Sequence, residues 1–177
     1  PVDGVVIVPA FIEPGRVTVG SVHWMRTDAG MIPVAESEFA RDATFGYTRS
    51  DLREWVEEKT GGTVASSTVA AVTLQDLRAG GPDRVAAILG GLTDARPVVV
   101  DAATDDDLRV LVLGLLAAEA AGKRFLYRTG PSFVRARSGQ AAAPPVDASA
   151  LRAADATRAT TGRARRTGWS SWARTSH

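Results

Sequence analysis

Two short apolar runs flank a long helical pattern within residues 98–128, and this arrangement restricts the fold more than any other feature of the sequence. Val98-Val99-Val100 and Phe125-Leu126-Tyr127 have the length and composition of buried strands. Thr104 is followed by three acids, a capping-box pattern that predicts a helix over 105–121, apolar on nearly all sides and therefore buried. A strand, a helix and a second strand in this order predict parallel strands joined by a right-handed crossover.

The same alternation extends over most of the chain. Ser50 is a good N-cap and Gly61-Gly62 is a typical stop, so the sequence predicts an amphipathic helix over 51–60. Alternating strands and helices predict an α/β fold, Rossmann-like, with a mostly parallel sheet and helices on both faces. The remaining predicted elements are a strand over 5–8, an extended hairpin over 16–25, a strand over 64–74 and a helix over 83–92.

The composition is that of one globular domain. A chain of 177 residues with 45% hydrophobic content can bury one sizeable core. The absence of cysteine excludes disulfides, thiolate nucleophiles and cysteine metal sites, and two histidines are too few for a histidine-rich metal centre. The N-terminus resembles neither a signal nor a transit peptide, so we expect a cytoplasmic protein. Because the chain enters an apolar strand almost at once, we also expect a fragment of a longer protein.

The net charge of +1 is unevenly distributed. Residues 153–177 carry five arginines and one acid, a net charge of +4, which leaves −3 on the first 152 residues. An acidic body argues against nucleic-acid binding. The apolar helix over 105–121 is too short for a membrane span and contains charged residues. We therefore expect neither nucleic acid nor a membrane as a partner of the body.

The segment AAGKRF has only a superficial likeness to a phosphate-binding loop. A P-loop requires glycine five positions before Gly122 and serine or threonine after Lys123, where this chain has Ala117 and Arg124. The dinucleotide-binding pattern GxGxxG is absent as well. Gly122 is therefore predicted to be the C-cap of the preceding helix.

A cluster of charged residues in the segment VAESEFARD surrounds Phe39. Glu36, Glu38, Arg41 and Asp42 follow neither a helical nor a strand period, which predicts a loop. Carboxylates accept hydrogen bonds from sugar hydroxyls and arginine binds carboxylates through two hydrogen bonds, so the cluster could hold a polyhydroxylated ligand. The alternative is a solvated loop with internal ion pairs, and spacing alone favours that alternative.

A second candidate group follows the predicted strand at 125–128. Arg128, Ser132 and Arg135 lie just beyond the carboxyl end of that strand, where ligands bind in open α/β sheets. Two arginines and a hydroxyl suit an anionic substrate. The alternative is that this segment starts a helix and the arginines pair with acids. Asp101 ends a strand at the same edge of the sheet. It is either a site residue or a cap of the next helix.

His23, beside Trp24, has catalytic potential by residue type. However, no convincing serine nucleophile or second base accompanies it in the sequence. We expect a strand residue whose ring nitrogen has a hydrogen-bond partner.

Six motifs together resemble the N-terminal domain of the four-carbon acid sugar kinase family, also labelled an Hrp-dependent type III effector and formerly a domain of unknown function. They follow the family's order and cover roughly residues 4–145. The motifs are VPAFIEPGR, TVGSVHW, VAESEFARD, FGYTRSDLREWVEEKTGG, VVVDA and GKRFLYRTGPSFVRA.

The resemblance implies an acid-sugar-binding domain that precedes a nucleotide-binding domain. Such enzymes phosphorylate threonate, erythronate or 3-oxotetronate with ATP and Mg. Because phosphoryl transfer depends mainly on positioning and charge neutralisation, this domain would hold the carboxylate and orient the attacking hydroxyl. The candidate substrate-binding residues are Arg16, Glu36, Glu38, Arg41, Asp42, Arg128, Ser132 and Arg135.

The chain lacks parts of the family pattern at both ends. An acidic ADDLTGA-like loop and a segment bearing lysine and serine would precede Pro1, and the nucleotide domain would follow the chain. We therefore predict that this fragment binds neither ATP nor metal and cannot phosphorylate a sugar acid. Two other classes stay open, a non-catalytic small-molecule-binding or regulatory module and an interaction protein that acts through its tail. A homo-oligomer is compatible with each.

The segment after Pro144-Pro145 loses the apolar periodicity, which predicts a sugar-binding part over 1–145, a linker over 146–155 and a tail over 156–177. Members of the resembled family have an apolar strand like GLVVVGSHVP after the sugar domain, whereas this chain has GWSSWARTSH. Tryptophan is always encoded by TGG, and with permitted codons elsewhere the neighbouring frame reads LVVVGSHVP. We predict that the tail is a frameshifted reading of that linker, without ordered structure or selected function.

Overall fold

The computed structural model describes residues 1–44 and 46–141, and residues 1–141 form one compact unit. The predicted linker and the predicted frameshifted tail lie outside the described residues. The strands are β1 Gly4–Val8, β2 Arg16–Val19, β3 Val22–Thr27, β4 Gly30–Pro33, β5 Ala70–Val72, β6 Arg96–Val100 and β7 Phe125–Thr129. The α-helices are α1 Leu52–Lys59, α2 Leu74–Arg78, α3 Gly81–Gly90, α4 Asp105–Ala120 and α5 Pro131–Arg137.

A four-stranded parallel sheet of order β5-β6-β1-β7 forms the centre of the described chain. Alternate strand residues face opposite sides, so Val6 and Val98 pack against α2 to α5 while Ile7 and Val99 pack against α1. Helices therefore cover both faces, and the predicted α/β fold with a mostly parallel sheet is confirmed.

A smaller antiparallel sheet of order β2-β3-β4 lies at the carboxyl end of the parallel strands. Thr18 of β2 bridges to Ala102, immediately beyond β6. The predicted hairpin over 16–25 is confirmed, with a turn at Gly20 and Ser21 whose φ angles are 61° and 66°. Two successive positive φ angles are typical of the tight turns that match strand twist.

Three predictions about the elements near the sheet were wrong. The predicted strand over 64–74 is a strand only at Ala70–Val72, because Ser66–Thr68 form a short 3-10 helix before it, and Thr73 and Asp76 form a capping box that starts α2 after it. The N-cap of α1 is Asp51, whose carboxylate accepts from the amide of Arg53, and not Ser50. The segment VAESEFARD contains two short 3-10 helices, at Val34–Glu36 and Glu38–Arg41, and not an irregular loop.

Helix α4 is buried on one side only, which corrects the expectation of burial all round. Leu108, Leu111 and Leu115 are fully buried, whereas Leu113 and Leu116 are about half exposed, at 54% and 48%. Its predicted end is confirmed, since Gly122 has a φ of 93° and its amide bonds to the carbonyl of Glu119.

Candidate ligand-binding site

An inner cavity of about 430 Å³ opens between the carboxyl ends of β1 and β7, the small sheet and α1. Its lining combines apolar and aromatic side chains with three arginines and one histidine. Clefts at this edge are the usual ligand sites of open α/β sheets. The lining residues are Ile7, Pro9, Arg16, His23, Val34, Tyr47, Arg49, Leu52, Trp55, Arg128, Thr129 and Gly130.

An outer cavity of about 530 Å³ adjoins the inner cavity. The two cavities share Tyr47, Trp55 and Arg128. The other residues of the outer cavity are Phe39, Asp42, Thr44 and Lys59. The shared side chains therefore line both compartments of one cleft.

Two arginines of the cleft are supported by aromatic rings. The guanidinium carbon of Arg16 lies 4.6 Å from the centre of the Phe39 ring, and that of Arg128 lies 4.8 Å from the centre of the Trp55 ring. Within residues 1–44 and 46–141, neither guanidinium has an ion pair with a carboxylate. Stacking restricts these side chains while leaving the in-plane N–H groups available to an anion.

Arg49 is the third cation of the inner cavity. Its guanidinium lies 3.7 Å from the carboxylate of Glu54, and both side chains are more than half exposed. A pair of this kind is weak because water screens it. The inner cavity therefore has three guanidiniums and no carboxylate in its lining, which favours an anionic ligand.

His23 is a neutral polar group in the wall of the inner cavity. Burial lowers the pKa of its imidazole to about 4, and the positive charge of Arg16 acts in the same direction. Nδ1 lies 3.0 Å from the hydroxyl oxygen of Thr18. The expectation of a strand histidine with a hydrogen-bond partner is confirmed, and at neutral pH its ring can hydrogen-bond without adding charge.

Tyr47 is half-buried between the two cavities. Burial raises the pKa of its phenol, although the charge of Arg16 and a hydrogen bond with Ser37 oppose that change. The phenol therefore remains protonated and uncharged at neutral pH. Sequence reasoning missed Tyr47, Arg49 and Trp55 as site residues. The segment YTRSDLREW contains all three, but nothing in its spacing shows that they turn toward β7.

Ser132 and Arg135, both predicted site residues, do not line either cavity. The Ser132 hydroxyl accepts from the amide of Ile12 at 2.9 Å and donates to Glu13 at 2.8 Å. Arg135 pairs with Glu13 and with Asp105. The interpretation of a helix start with paired arginines thus fits Arg135, whereas Arg128 on the preceding strand lines the cleft.

The four charged residues of the 34–42 segment, Glu36, Glu38, Arg41 and Asp42, are exposed. Of these four, Asp42 alone lines a cavity, the outer one, and one of its carboxylate oxygens accepts from the amide of Thr44 at 2.8 Å. Glu36, Glu38 and Arg41 line neither cavity. Their assignment to substrate stays a prediction.

Asp101 has a structural role at the same edge. Its buried carboxylate accepts from the amides of Gly20 at 2.9 Å and Ser21 at 2.8 Å, and at 3.3 Å from that of Leu74. Asp101 does not cap α4, whose N-cap is Thr104. It anchors the β2–β3 turn and so helps to position the sheet that carries Arg16.

Gly130 permits the close approach that closes the inner cavity after β7. Its amide donates to the carbonyl of Val8 at 2.7 Å. A Cβ atom at this position would lie 2.3 Å from the carbonyl oxygen of Ala10 and 2.7 Å from that of Pro9. Only glycine fits here without displacing the segment that follows β1.

Neither a metal cluster nor a membrane span is found in the described part of the chain. Residues 1–44 and 46–141 contain no group of three or more histidine or acidic side chains that could hold a metal ion. Among the helices of these residues, none combines the length and apolarity that crossing a bilayer requires.

Comparisons with known proteins agree on one family. A family model described as a sugar-binding N-terminal domain matches residues 1–137. No curated protein sequence matches the chain significantly. A Haemophilus influenzae protein of the DUF1537 family is 22% identical with a TM-score of 0.55, over 77% of this chain and 30% of that one.

A second solved structure contains a bound molecule. It is a DUF1537 domain from Bordetella bronchiseptica, a domain-swapped dimer with bound citrate, 25% identical with a TM-score of 0.54. The match covers 90% of this chain and 38% of that one. The matches therefore span only 30% and 38% of the length of these two structures.

Proposed function

The chain belongs to the family of sugar-binding N-terminal domains found in DUF1537 proteins, the four-carbon acid sugar kinase family, and from that premise we propose that it binds a four-carbon sugar acid as part of an ATP-dependent kinase. The proposed substrates are threonate, erythronate or 3-oxotetronate, and the proposed location is the cytoplasm.

The observation that carries this proposal is the lining of the inner cavity. Arg16 and Arg128 have no carboxylate partner among the described residues, so an incoming carboxylate can form charge-assisted hydrogen bonds with them. The neutral groups of His23, Tyr47 and Thr129 are suited to hydrogen-bond hydroxyls. A hydroxylated carboxylic acid combines these two requirements.

The citrate bound to the Bordetella domain supports the same chemistry. Citrate is a hydroxylated carboxylate, and that domain is 25% identical to this chain. Because the same structure is a domain-swapped dimer, we also propose that the complete protein forms a homo-oligomer.

The role proposed for this part of the kinase is to position the substrate. In phosphoryl transfer the protein contributes mainly alignment and charge neutralisation. ATP and Mg belong to the family chemistry, but the residues that the structure describes offer no cluster that could hold the metal. We therefore assign no transfer step to them and propose that the chain alone is inactive.

Isothermal titration of the 177-residue chain with threonate, erythronate and uncharged threitol tests the binding proposal. We expect binding of at least one acid and none of threitol. Arg128→Gln should weaken acid binding by about tenfold or more, because hydrogen bonds to charged groups are worth about 1.5–3 kcal/mol. Arg109→Gln is the matched control, since Arg109 is exposed on α4 and pairs with Asp106. Equal binding of threitol and the acids would contradict the proposal.

The alternative is a non-catalytic binding or regulatory module. The inner cavity is formed entirely by residues 7–130, without any nucleotide-binding element, and this observation favours binding without catalysis. Measurable transfer of phosphate from ATP to a sugar acid by the isolated chain would refute both this alternative and the proposed inactivity.

A further inference from the structure

The outer cavity has charged and aromatic side chains that the sugar-acid site in the inner cavity does not include. With about 530 Å³ it is the larger of the two cavities, which adjoin each other. A four-carbon acid in the inner cavity therefore leaves a second compartment with functional groups of its own. The residues that line the outer cavity alone are Phe39, Asp42, Thr44 and Lys59.

Lys59 and Arg128 are the two cations of the outer cavity, and both lie beside Trp55. Trp55 and Lys59 are four positions apart on α1, so their side chains share one face of that helix. The guanidinium carbon of Arg128 lies 4.8 Å from the centre of the Trp55 ring. Helix geometry and the stacking contact thus bring an ammonium and a guanidinium to the same wall of this cavity.

Two contacts position the Lys59 side chain. Its ammonium donates to the carbonyl oxygen of Gly46 and lies 6.0 Å from the centre of the Tyr47 ring. Neither a carbonyl nor a ring cancels the positive charge. Lys59 and Arg128 are both exposed to solvent. Exposed cations suit a phosphate ester, because a doubly charged group that keeps part of its hydration avoids most of the cost of burial.

The charge of the whole cleft matches that of a phosphorylated sugar acid. Within the described residues, four cationic side chains and one acidic side chain line the two cavities, a net charge of +3 with His23 neutral. Glu54, the weak partner of Arg49, lines neither cavity. A sugar acid has one negative charge, and a phosphate ester adds roughly two at neutral pH. The cations are Arg16, Arg49, Lys59 and Arg128, and the acid is Asp42.

We propose that the outer cavity is a phosphate subsite, in which Lys59 and Arg128 bind the phosphate of a sugar acid phosphorylated on the hydroxyl farthest from its carboxylate. This rests on the proposed function, because it assigns the phosphorylated product of that reaction to the same cleft. The terminal hydroxyl is the one concerned, because the carboxylate lies in the inner cavity and the phosphate in the outer one. Lys59 thereby recognises the phosphorylated acid and not the free acid.

A matched set of ligands tests the phosphate subsite. Threonate and erythronate are each compared with their 4-phosphates, and inorganic phosphate and ATP supply phosphate without the acid. Titration calorimetry of the 177-residue chain at pH 7.5 and constant ionic strength should give binding of a 4-phosphate about tenfold tighter than that of its parent acid. Inorganic phosphate and ATP should both bind more weakly than the 4-phosphate.

Variants of Lys59 separate the subsite from general electrostatic attraction. Lys59→Gln should weaken binding of the 4-phosphate about tenfold and change the affinity for the parent acid by less than about twofold, because Lys59 lines only the outer cavity. Lys59→Arg keeps the charge and should retain the preference. Arg109→Gln is the matched control, because it removes one positive charge from α4, on the opposite face of the sheet from α1. Thermal melting of each variant verifies that it is folded.

The possible outcomes distinguish the two proposals. Equal binding of an acid and its 4-phosphate, or a preference that Lys59→Gln leaves unchanged, would overturn the phosphate subsite and leave the proposed function standing. Tighter binding of ATP than of either 4-phosphate, lost in Lys59→Gln, would also overturn it, since the cations would then bind a nucleotide. Absence of binding by both acids and both 4-phosphates would overturn the two proposals together.

Discussion

The guanidinium of Arg128 lies 4.8 Å from the centre of the Trp55 ring. This contact joins β7, the edge strand of the parallel sheet, to helix α1 across the cleft. Arg128 is 73 positions from Trp55 in the chain, and both residues line the inner and the outer cavity. The contact holds a cation at the carboxyl end of β7 without neutralising it. We therefore expect ligand binding to depend on this aromatic side chain as well as on the arginine.

Trp55→Leu should weaken binding of the sugar acid about fivefold. The change keeps an apolar side chain on α1, against the cluster that contains Val56 and Val99, but removes the ring face that positions Arg128. A contact of this kind is worth roughly 1 kcal/mol. Calorimetry measures the affinity. Trp24→Leu is the control because Trp24 lines neither cavity, and an equal loss of affinity in both variants would contradict the role assigned to Trp55.

Arg135→Gln and Arg128→Gln should have opposite effects. Arg135 is largely buried and pairs with Glu13 and Asp105, so its loss should lower the free energy of unfolding by about 1–3 kcal/mol with little change in ligand affinity. Arg128→Gln should lower affinity with little change in stability. Urea unfolding measures the stability of both variants, and calorimetry measures their ligand affinity. If Arg135→Gln lost affinity at unchanged stability, Arg135 would be a ligand-binding residue and not a structural one.

Asp101→Asn should destabilise the chain by about 1–3 kcal/mol. The aspartate carboxylate accepts from the amides of Gly20 and Ser21 with different oxygens, and an asparagine offers one oxygen, so one amide loses its acceptor. Hydrogen exchange should show faster exchange of one of these two amides, alongside a lower urea midpoint. The exposed turn residue Asp28 supplies the control, Asp28→Asn, and equal urea midpoints for the two variants would argue against the anchoring role.

Gly130→Ala should lower the free energy of unfolding by about 1–3 kcal/mol, because the added methyl group would lie 2.3 Å from the carbonyl oxygen of Ala10. It should also weaken ligand binding, since the displaced segment borders the inner cavity. Gly90→Ala is the control, because a Cβ atom there meets nothing within 4 Å and alanine is the better helix former. A Gly130→Ala variant as stable as wild type would show that the segment after β1 can move at no cost.

Stability should fall as the pH is lowered from about 6.5 toward 4, in part because of His23. In the unfolded chain its imidazole takes up a proton near the ordinary pKa of 6.5, whereas in the folded chain it stays neutral down to about 4. The unfolded state therefore binds more protons in this window, and the free energy of unfolding decreases by up to about 1.4 kcal/mol per pH unit from this group.

Urea unfolding of wild type and His23→Gln between pH 4 and pH 7 measures that contribution. The variant should lose stability less steeply than wild type over this range, and above pH 7 the two slopes should agree. Identical slopes from pH 4 to pH 6.5 would mean that His23 titrates normally in the folded chain.

Local sequence patterns predicted most of the secondary structure, and failed where a competing local interaction decided the outcome. The helix opened by Thr104 and ended by Gly122 was predictable because its caps are neighbours in the chain. The strand proposed over 64–74 begins late and ends early, because a 3-10 helix occupies Ser66–Thr68 and the Thr73 side chain caps α2, and both features lie within an otherwise β-like run. The exposure of Leu113 and Leu116 was not predictable, because periodicity cannot show which side of an apolar helix meets the sheet.

The candidate site was predictable in part. Arg16 and Arg128 were identified from the family motifs and from the position of Arg128 at a strand end, and both line the inner cavity. Arg135 was chosen by the same argument but faces Glu13 and Asp105, because α5 turns it toward α4.

By itself, the sequence determined the α/β class, the order of its strands and helices and the family, because these depend on periodicity, caps and short motifs that neighbouring residues form together. Only the tertiary structure decided which charged side chains share a cleft. The pairing of β1 with β7 and the packing of α1 against the sheet bring Arg16, Trp55 and Arg128 to one cavity. The position of each of these side chains depends on contacts between segments that are distant in the chain. A local sequence pattern contains no information about such contacts.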